Sequence, residues 1–343
     1  MAGELVFITG GSGHIGFRVI VDALEAGYQV RAAVRSLEKG DKILSTPSIK
    51  RLNPGGRLAF VQVPDLTADG AYEEAIKGAE YVIHVASPIV SSYGEGTDLA
   101  EHFIQPSLNG TTNILKAAQK AGSVRRVVIT SSMVAIIPWN ELTSGKCNTV
   151  FTETNRIPTP TEYKSPFEAY AAGKTAALNE AEKWIENVNP SFDLVHVFPG
   201  FVIGGNELIT DPKDALYGAN RQVLCPVTGV DAGFVPGASV HLNDVSAAHV
   251  LALDPKITGN QGFVLASGGL EGTKWEDTKE ITARHFKKEV ESGVLRNNGK
   301  ITTLPVKIDE RKTEEVLGLS LLPFEAQVTH VVSHYLGLIK AKH

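Results

Sequence analysis

The sequence has few cysteines and no long apolar run, and these absences exclude several classes of protein. Cys147 and Cys225 are the only cysteines among 343 residues, and they form no CxxC pair. A disulfide framework and a cysteine-based zinc site are therefore not encoded, and we expect a reducing, cytoplasmic location. No apolar run approaches the roughly 18 residues of a membrane helix. Because a strand is predicted from residue 5 onward, we expect neither a signal peptide nor a membrane partner.

An excess of positive charge is absent too. The chain carries 33 Lys and Arg against 38 Asp and Glu, a net charge of −5, which gives no general attraction for nucleic acid. Hydrophobic residues make up 43% of the chain and charged residues 21%, which is the mixture of ordinary globular domains. We expect a folded monomer or homodimer without a nucleic-acid partner. The histidines show no metal-ligand spacing, so we expect no metal.

The first part of the chain alternates strand-length apolar runs with helix-length amphipathic stretches. This alternation predicts an α/β fold with a doubly wound parallel sheet, the Rossmann fold. The predicted helices cover residues 14–26, 108–121 and 167–188. The predicted strands cover residues 5–9, 29–34, 58–63, 81–86, 127–131 and 194–198.

The pattern changes after Pro199, where glycine and proline crowd a stretch with little periodicity. Helical patterns return at residues 277–288 and 324–338. We therefore predict that residues 1–198, joined again by about 239–262, form the Rossmann domain. Residues 199–238 and 263–343 are predicted to form a smaller C-terminal lobe that binds the substrate.

A glycine-rich turn joins the first predicted strand to the first predicted helix. In the run TGGSGHIG at residues 9–16, Gly10 permits the tight turn and Gly13 lets the backbone approach a pyrophosphate. Gly16 lets the helix pack closely on the strand, and the helix N-terminus offers free N–H groups. A strand before the turn and a helix after it favour a dinucleotide site over an ordinary turn.

The second predicted strand lacks the carboxylate that would hold an NAD ribose. It ends at Arg35, with Lys39 four residues later, and such a cationic pair suits the 2′-phosphate of NADP. We therefore predict NADPH/NADP⁺ as the cofactor, the alternative being that both are solvated surface cations. Asp65 and Leu66 follow the third strand, where the Asp65 carboxylate either accepts a hydrogen bond from the adenine or caps a helix.

A tyrosine and a lysine lie four residues apart at the start of a predicted helix. Tyr170 and Lys174 therefore share one helix face, where the ammonium should lower the pKa of the phenol and make it a better proton donor. Ser131 and Ser132 end the preceding strand, at the sheet edge where ligands bind in such folds. A serine at that edge can polarise a carbonyl oxygen.

These motifs together resemble the extended short-chain dehydrogenase/reductase family, and within it the dihydroflavonol reductase, cinnamoyl-CoA reductase and yeast carbonyl (aldehyde) reductase branch. The resemblance spans nearly the whole chain. Its marks are TGGSGHIG at 9–16, AAVRSLEK at 32–39, PDL at 64–66, HVASP at 84–88, NGT at 109–111, TSS at 130–132, YAAGK at 170–174 and FPGFVIG at 198–204.

The resemblance implies a role for each matching residue. Ser132 would orient the carbonyl, Tyr170 would donate the proton, and Lys174 would bind the ribose and lower the tyrosine pKa. The residues that it implies for the cofactor are Gly10, Gly13, Ile15 and Gly16 at the pyrophosphate, Arg35 and Lys39 at the 2′-phosphate, Asp65 and Leu66 at the adenine, and Pro199 and Val202 beside the nicotinamide. The implied activity is reduction of a small-molecule aldehyde or ketone by NADPH.

Some positions depart from the family pattern. Gly173 stands where many relatives have serine, which we expect to alter packing only, and His241 stands where relatives often have an acid. The Asn-Trp-Tyr-Cys-Tyr run of cinnamoyl-CoA reductases is absent, so a lignin-type CoA ester is disfavoured. His84 ends a strand near the expected cofactor, where it either touches the cofactor or is a buried polar residue with a partner.

Several aromatic residues are candidates for an apolar substrate pocket, although core packing is the alternative for each. They are Trp139, Tyr163, Phe167, Phe201, Tyr217 and Phe234. An apolar, aromatic or branched carbonyl compound is therefore the expected substrate.

Three alternatives to a carbonyl reductase stay open. A nucleotide-sugar epimerase or dehydratase would need a second basic site, but residues 200–237 contain only Lys213 and Arg221 as cations. A 3β-hydroxysteroid-type dehydrogenase would prefer an acid at position 35. A non-catalytic NADP(H)-binding sensor would need no tyrosine and lysine pair.

Overall fold

The computed structural model describes residues 3–90, 94, 96 and 98–342. The chain divides into two compact units. The first unit comprises Met1–Ile136, Arg156–Phe198 and Ser246–Phe263. The second unit comprises Ile137–Asn155, Pro199–Val245 and Val264–His343. None of the helices in the described ranges is long and apolar enough to cross a membrane.

Strands and helices are numbered along the chain. The strands are β1 (Leu5–Thr9), β2 (Gln29–Val34), β3 (Leu58–Gln62), β4 (Tyr81–His84), β5 (Arg126–Thr130), β6 (Val150–Phe151), β7 (Asp193–Pro199), β8 (Phe201–Ile203), β9 (Gly233–Pro236), β10 (Ser239–His241), β11 (Gln261–Leu265), β12 (Ile301–Leu304) and β13 (Lys307–Ile308). The helices are α1 (His14–Glu25), α2 (Leu37–Leu44), α3 (Pro47–Leu52), α4 (Gln105–Ala121), α5 (Trp139–Thr143), α6 (Pro166–Val188), α7 (Arg221–Thr228), α8 (Leu242–Leu251), α9 (Asp277–His285), α10 (Lys287–Glu291), α11 (Arg311–Leu317) and α12 (Phe324–Lys342).

A seven-stranded sheet with the order β11-β7-β5-β4-β1-β2-β3 forms the centre of the first unit. The neighbours from β7 to β3 are parallel. Apolar side chains on one face, such as Val127 and Leu194, pack with Ile114 of α4 and Ala181 of α6. Helix α1 packs against β2 on the other face, where Ile20 and Ala32 both lie beside Gly11. The predicted doubly wound α/β fold is confirmed.

The sheet contains one strand, β11, that the sequence did not predict. Its second residue is Gly262, where an added Cβ would lie 2.4 Å from the Phe198 ring. The close packing of β11 on Phe198 thus requires a residue without a side chain. That glycine weakens the apolar signal by which a strand is recognised in a sequence.

The strand order reverses beside β1, and this reversal determines where a ligand binds. From β1 the chain proceeds to β2 and β3 on one side, whereas β4 and β5 lie on the other side. In open α/β sheets the crevice for ligands opens at the carboxyl ends of the strands at such a reversal. The turn after Thr9 and the residues after His84 meet at this edge.

The second unit is built from short parallel strand pairs and helices around an apolar core. Its pairs are β8 with β10, β9 with β12, and β6 with β13. Residues 137–155 and 239–245, which the sequence assigned to the first domain, belong here because β6 and β10 pair with strands of this unit. The single helix predicted over 277–288 is two helices, since Phe286 has a non-helical backbone (φ −126°, ψ 42°) and packs against this core.

Arg126 joins β5 to the segment that follows α8. Arg126 is 5% exposed. Its guanidinium donates to both carboxylate oxygens of Asp193 and to the carbonyl oxygens of Ala252, Asp254 and Ile257. Removing one partner of a buried ion pair leaves the charge of the other partner, and the groups bonded to it, without compensation for their lost hydration.

We expect Arg126→Met to lower the free energy of unfolding by about 3–5 kcal/mol. The matched control is Arg125→Met, because the neighbouring Arg125 forms an exposed ion pair with Glu4, worth less than about 1 kcal/mol. Urea unfolding followed by circular dichroism measures both variants. Equal losses of stability in the two variants would contradict the structural role of Arg126.

Candidate active site

The glycine turn between β1 and α1 is shaped to hold a ligand against the backbone. Gly10 has φ +72°, and a Cβ there would lie 2.8 Å from the Ala86 nitrogen. A Cβ on Gly16 would lie 2.2 Å from the Gly10 carbonyl oxygen, so α1 packs directly on the turn. Each of these two positions therefore requires glycine.

The N-terminus of α1 is open to a negatively charged group. Gly13 is the N-cap and is exposed, its N–H donates to the Gly10 carbonyl oxygen at 2.9 Å, and Ile15 lies in the first helical turn. The first N–H groups of a helix have no partner within the helix, and the helix dipole favours an anion beside them. Because no side chain projects from the cap, the turn fits a dinucleotide pyrophosphate.

Two cations stand exposed beyond the end of β2. Arg35 follows Val34, and Lys39 lies in the first turn of α2. Among the described residues neither forms an ion pair, so both are available to a phosphate. Asp65 lies after β3, and its Oδ1 accepts hydrogen bonds from the N–H and the hydroxyl of Thr67. These two hydrogen bonds lower the pKa of the Asp65 carboxyl. The carboxyl therefore stabilises a local turn and does not cap a helix.

The other predicted cofactor residues divide between the two units. The Leu66 side chain packs closely on α4, because a Cβ on Gly110 of that helix would lie 2.6 Å from the Leu66 side chain. The carbonyl oxygen of Leu66 accepts a hydrogen bond from the Asn113 side chain. Pro199 ends β7 and Val202 lies in β8, both within the second unit. Their place beside the nicotinamide stays a prediction.

Helix α6 begins four residues before the tyrosine and eight residues before the lysine. Ser165 is the N-cap and accepts a hydrogen bond from the Glu168 N–H at 3.2 Å, and Pro166 occupies the first helical position. Serine caps and first-turn prolines both favour helix initiation. Tyr170 and Lys174 follow one turn apart, with the Lys174 ammonium 5.9 Å from the centre of the phenol ring.

Lys174 and Ser132 approach the tyrosine from the end of β5. Lys174 is 7% exposed, and its ammonium donates to the carbonyl oxygen of Thr130 at 3.1 Å. Ser132 is the N-cap of the turn Met133–Ala135, and its hydroxyl interacts with that of Tyr170. The structure thus brings these predicted residues together at one edge of the sheet.

The expected lowering of the tyrosine pKa is wrong. Burial raises the pKa of Tyr170 to about 12, and only the interaction with the Ser132 hydroxyl acts in the opposite direction. Burial also lowers the pKa of Lys174 to about 8. Burial thus sets the direction of the shift, and the tyrosine is a protonated donor at neutral pH.

Two phenylalanines hold the Tyr170 ring. Phe167 stacks on it with 5.9 Å between ring centres and 10° between ring planes. Phe103 meets it edge-on at 6.4 Å and lies in a π-helical turn, Ala100–Ile104, that precedes α4. Sequence reasoning missed Phe103 because its turn has no motif of its own.

Gly173 has a steric reason in this structure. A Cβ at that position would lie 2.8 Å from the Phe103 carbonyl oxygen and 3.2 Å from Ser107 Oγ. The glycine therefore lets the π-helical turn press against α6, which carries Tyr170. The presence of glycine where many relatives have serine therefore affects packing, as the sequence led us to expect.

The two histidines that the sequence singled out both have hydrogen-bond partners. His84 is buried and its Nδ1 lies 2.9 Å from Thr9 Oγ1, and its pKa is lowered to about 3 by burial, with a smaller contribution from Lys174. It is therefore a neutral residue with a partner. In the second unit, His241 Nε2 lies 2.7 Å from His330 Nδ1.

The aromatic candidates for a substrate pocket do not share one environment. Phe201 packs edge-on against the buried Trp275 at 5.9 Å, so it belongs to the core of the second unit. Tyr217 and Phe234 are 68% and 73% exposed, and Trp139 also lies in the second unit. Within the described residues, no cluster of His, Cys, Asp and Glu side chains could hold a metal ion.

Comparisons with known proteins match this fold and these motifs. A model of the NAD dependent epimerase/dehydratase family matches residues 6–224. Ketoreductase CTB6 of Cercospora beticola is 41% identical over 349 residues, which cover 98% of this chain and 96% of that protein.

Two solved structures share the fold over almost their whole length. Gre2 of Candida albicans in complex with NADPH has a TM-score of 0.80 at 25% identity, with 98% of this chain and 99% of that chain covered. Vestitone reductase from alfalfa has a TM-score of 0.71 at 21% identity, with 97% and 98% covered.

Proposed function

The chain belongs to the NAD-dependent epimerase/dehydratase family of extended short-chain dehydrogenases/reductases, and we propose that it is an NADPH-dependent reductase of aldehydes or ketones. The resemblance drawn from the motifs is thereby confirmed. Similarity to a ketoreductase over almost the full length supports reduction rather than epimerisation. Its similarity to a relative that binds NADPH supports that cofactor.

The arrangement of Ser132, Tyr170 and Lys174 is the observation that carries this proposal. The phenol interacts with the Ser132 hydroxyl, and the Lys174 ammonium lies on the same helix face. All three residues belong to the unit that contains the glycine turn. A proton donor, a hydrogen-bond donor and a cation are the groups that carbonyl reduction needs.

NADPH supplies the hydride to the carbonyl carbon when it is bound. Ser132 donates a hydrogen bond to the substrate oxygen and orients it, and Tyr170 transfers its phenolic proton to that oxygen as the carbon–oxygen double bond becomes a single bond. Lys174 stabilises the phenolate that remains and binds the ribose. A proton from solvent then restores the tyrosine.

Most of the residues expected to bind the cofactor belong to the first unit. Gly10, Gly13, Ile15 and Gly16 form the pyrophosphate site, and Arg35 with Lys39 pairs the 2′-phosphate. Asp65 and Leu66 face the adenine, while Pro199 and Val202 complete the nicotinamide side. The rings of Phe103 and Phe167 beside Tyr170 favour an apolar, aromatic or branched carbonyl substrate.

Mixing the purified protein with NADPH and a panel of aromatic aldehydes, ketones and β-keto esters tests the proposal. We expect loss of the NADPH absorbance with at least one member of the panel. Tight NADPH binding without oxidation by any member would instead indicate a sensor. Conversion of a nucleotide sugar without net consumption of NADPH would indicate an epimerase.

Arg35→Ala tests the cofactor preference. The variant loses charge-assisted hydrogen bonds to the 2′-phosphate, so we expect the KM for NADPH to rise about tenfold to a hundredfold. The KM for NADH should stay unchanged, because NADH has no such phosphate. Lys116→Ala, which removes an exposed cation on α4, serves as the control. Equal increases in KM for the two cofactors would remove the basis for assigning NADPH.

A further inference from the structure

Four directly opposed residues cross the central sheet behind the proposed active site. Thr9, His84, Ile129 and His196 are register partners on β1, β4, β5 and β7. Their side chains therefore lie on one face of the sheet, the face on which α4 and α6 pack. The proposed mechanism uses neither of the two histidines in this row.

A cavity of about 20 Å³ lies between this row and the two helices. One water molecule requires a cavity of about 10–15 Å³ or more and two to four polar partners. The cavity is therefore large enough for one water, and its lining supplies ample polar partners. Its lining residues are His84, Ala86, Ser87, Ser107, Thr111, Ile129, Thr130, Ser131, Lys174, Ala177, Leu178 and His196.

His196 needs a polar partner that the protein does not provide. The residue is 4% exposed, and neither of its ring nitrogens has a hydrogen-bond partner among the described residues. Burial lowers its pKa to about 4, so the ring is neutral at pH 7 and offers one donor and one acceptor. Buried polar atoms without partners are rare because they lose their hydration without compensation.

Lys174 also lines this cavity, and its ammonium has N–H donors available for a further hydrogen bond. An ammonium has three N–H donors, and one of them is used by the Thr130 carbonyl oxygen. On the opposite side, Thr9 Oγ1 accepts from the N–H groups of Val85 and Ala86, so its own proton points to His84 Nδ1 and leaves Nε2 of His84 protonated. The cavity is thus rich in donors, and His196 is the ring that can supply a nitrogen acceptor.

We propose that this cavity binds one ordered water that accepts a hydrogen bond from Lys174 and donates one to His196. His196 is then a positioning residue, which acts through the water to favour the charged form of Lys174. This inference rests on the proposed function only for its effect on catalysis. The other titratable groups that face Lys174 or His196 are Tyr170, His84, and the ion pair of Arg156 with Glu182.

The test compares His196→Leu with His196→Gln. Leucine has a similar size but no hydrogen-bonding group, so it removes the acceptor for the water. Glutamine retains both a hydrogen-bond donor and an acceptor. NMR of protein labelled with ¹³C at the lysine ε-carbons measures the pKa of Lys174 without cofactor, with Lys174→Met identifying the resonance. We expect the pKa to fall from about 8 to about 7 or below in the leucine variant and to stay near the wild-type value in the glutamine variant.

Activity measurements separate the failure of this inference from the failure of the proposed function. In an active enzyme the upper pH limit of kcat/KM should move to lower pH in His196→Leu and be restored in His196→Gln. A wild-type protein that oxidises no NADPH, with the expected pKa change by NMR, would contradict only the proposed function. An unchanged pKa of Lys174 in the leucine variant would overturn the water site.

Discussion

Replacing Tyr170 with phenylalanine is expected to lower kcat about 10³-fold, because a positioned proton donor contributes a factor of this order. The substitution removes one oxygen and keeps the ring. The contacts of that ring with Phe167 and Phe103 persist, so stability and NADPH affinity should change little. Steady-state rates and fluorescence titration with NADPH measure the two effects separately.

Tyr335→Phe provides the control for this experiment. Tyr335 is partly buried on α12 in the second unit, and its hydroxyl has no role in the proposed chemistry. Its loss should leave kcat near the wild-type value. Turnover by Tyr170→Phe close to that of the wild type would rule out Tyr170 as the proton donor.

The charge of Lys174 is expected to set the upper pH limit of the reaction. Its pKa is lowered to about 8 by burial, and the protonated form is the one that binds the ribose and supports the phenol. For the free enzyme, kcat/KM should therefore be level below pH 8 and fall about tenfold per pH unit above it. Lys174→Met should lower kcat/KM about 10²-fold or more and abolish this limit.

Stability should respond to the same residue in the opposite direction. The folded-state pKa of Lys174 lies below its ordinary value of 10.5, so between these pH values the unfolded chain binds more protons than the folded one. The contribution of this group to stability therefore rises as the pH rises through that range. If kcat/KM of Lys174→Met still fell above pH 8 as in the wild type, a group other than Lys174 would cause that fall.

The sequence predicts the parts of this fold that rest on local patterns. The six named strands and the long helix that bears Tyr170 appear within a few residues of the expected bounds, because buried parallel strands and capped helices have strong local signals. Strand β11 was missed because its close packing requires Gly262. The break at Phe286 was missed because it depends on packing within the second unit.

The candidate site shows the same limit. Motifs located Gly10, Ser132, Tyr170 and Lys174, since each lies at a strand end or helix start that the sequence predicts. Phe103 and His196 have no motif, and they join the site only through packing between elements distant in the chain. The direction of the Tyr170 pKa was wrong for a related reason. Spacing reveals the nearby ammonium, whereas the stronger effect of burial depends on the assembled fold.

The fate of a deuterium label tests the central claim most directly. The protein is supplied with NADPH deuterated at nicotinamide C4, on the face from which it transfers hydride, in ordinary water with the best ketone of the panel. We predict an alcohol that carries one deuterium on the carbinol carbon, formed about 10³-fold more slowly by Tyr170→Phe than by the wild type. An alcohol without deuterium on that carbon, or no alcohol from any substrate despite bound NADPH, would contradict the account.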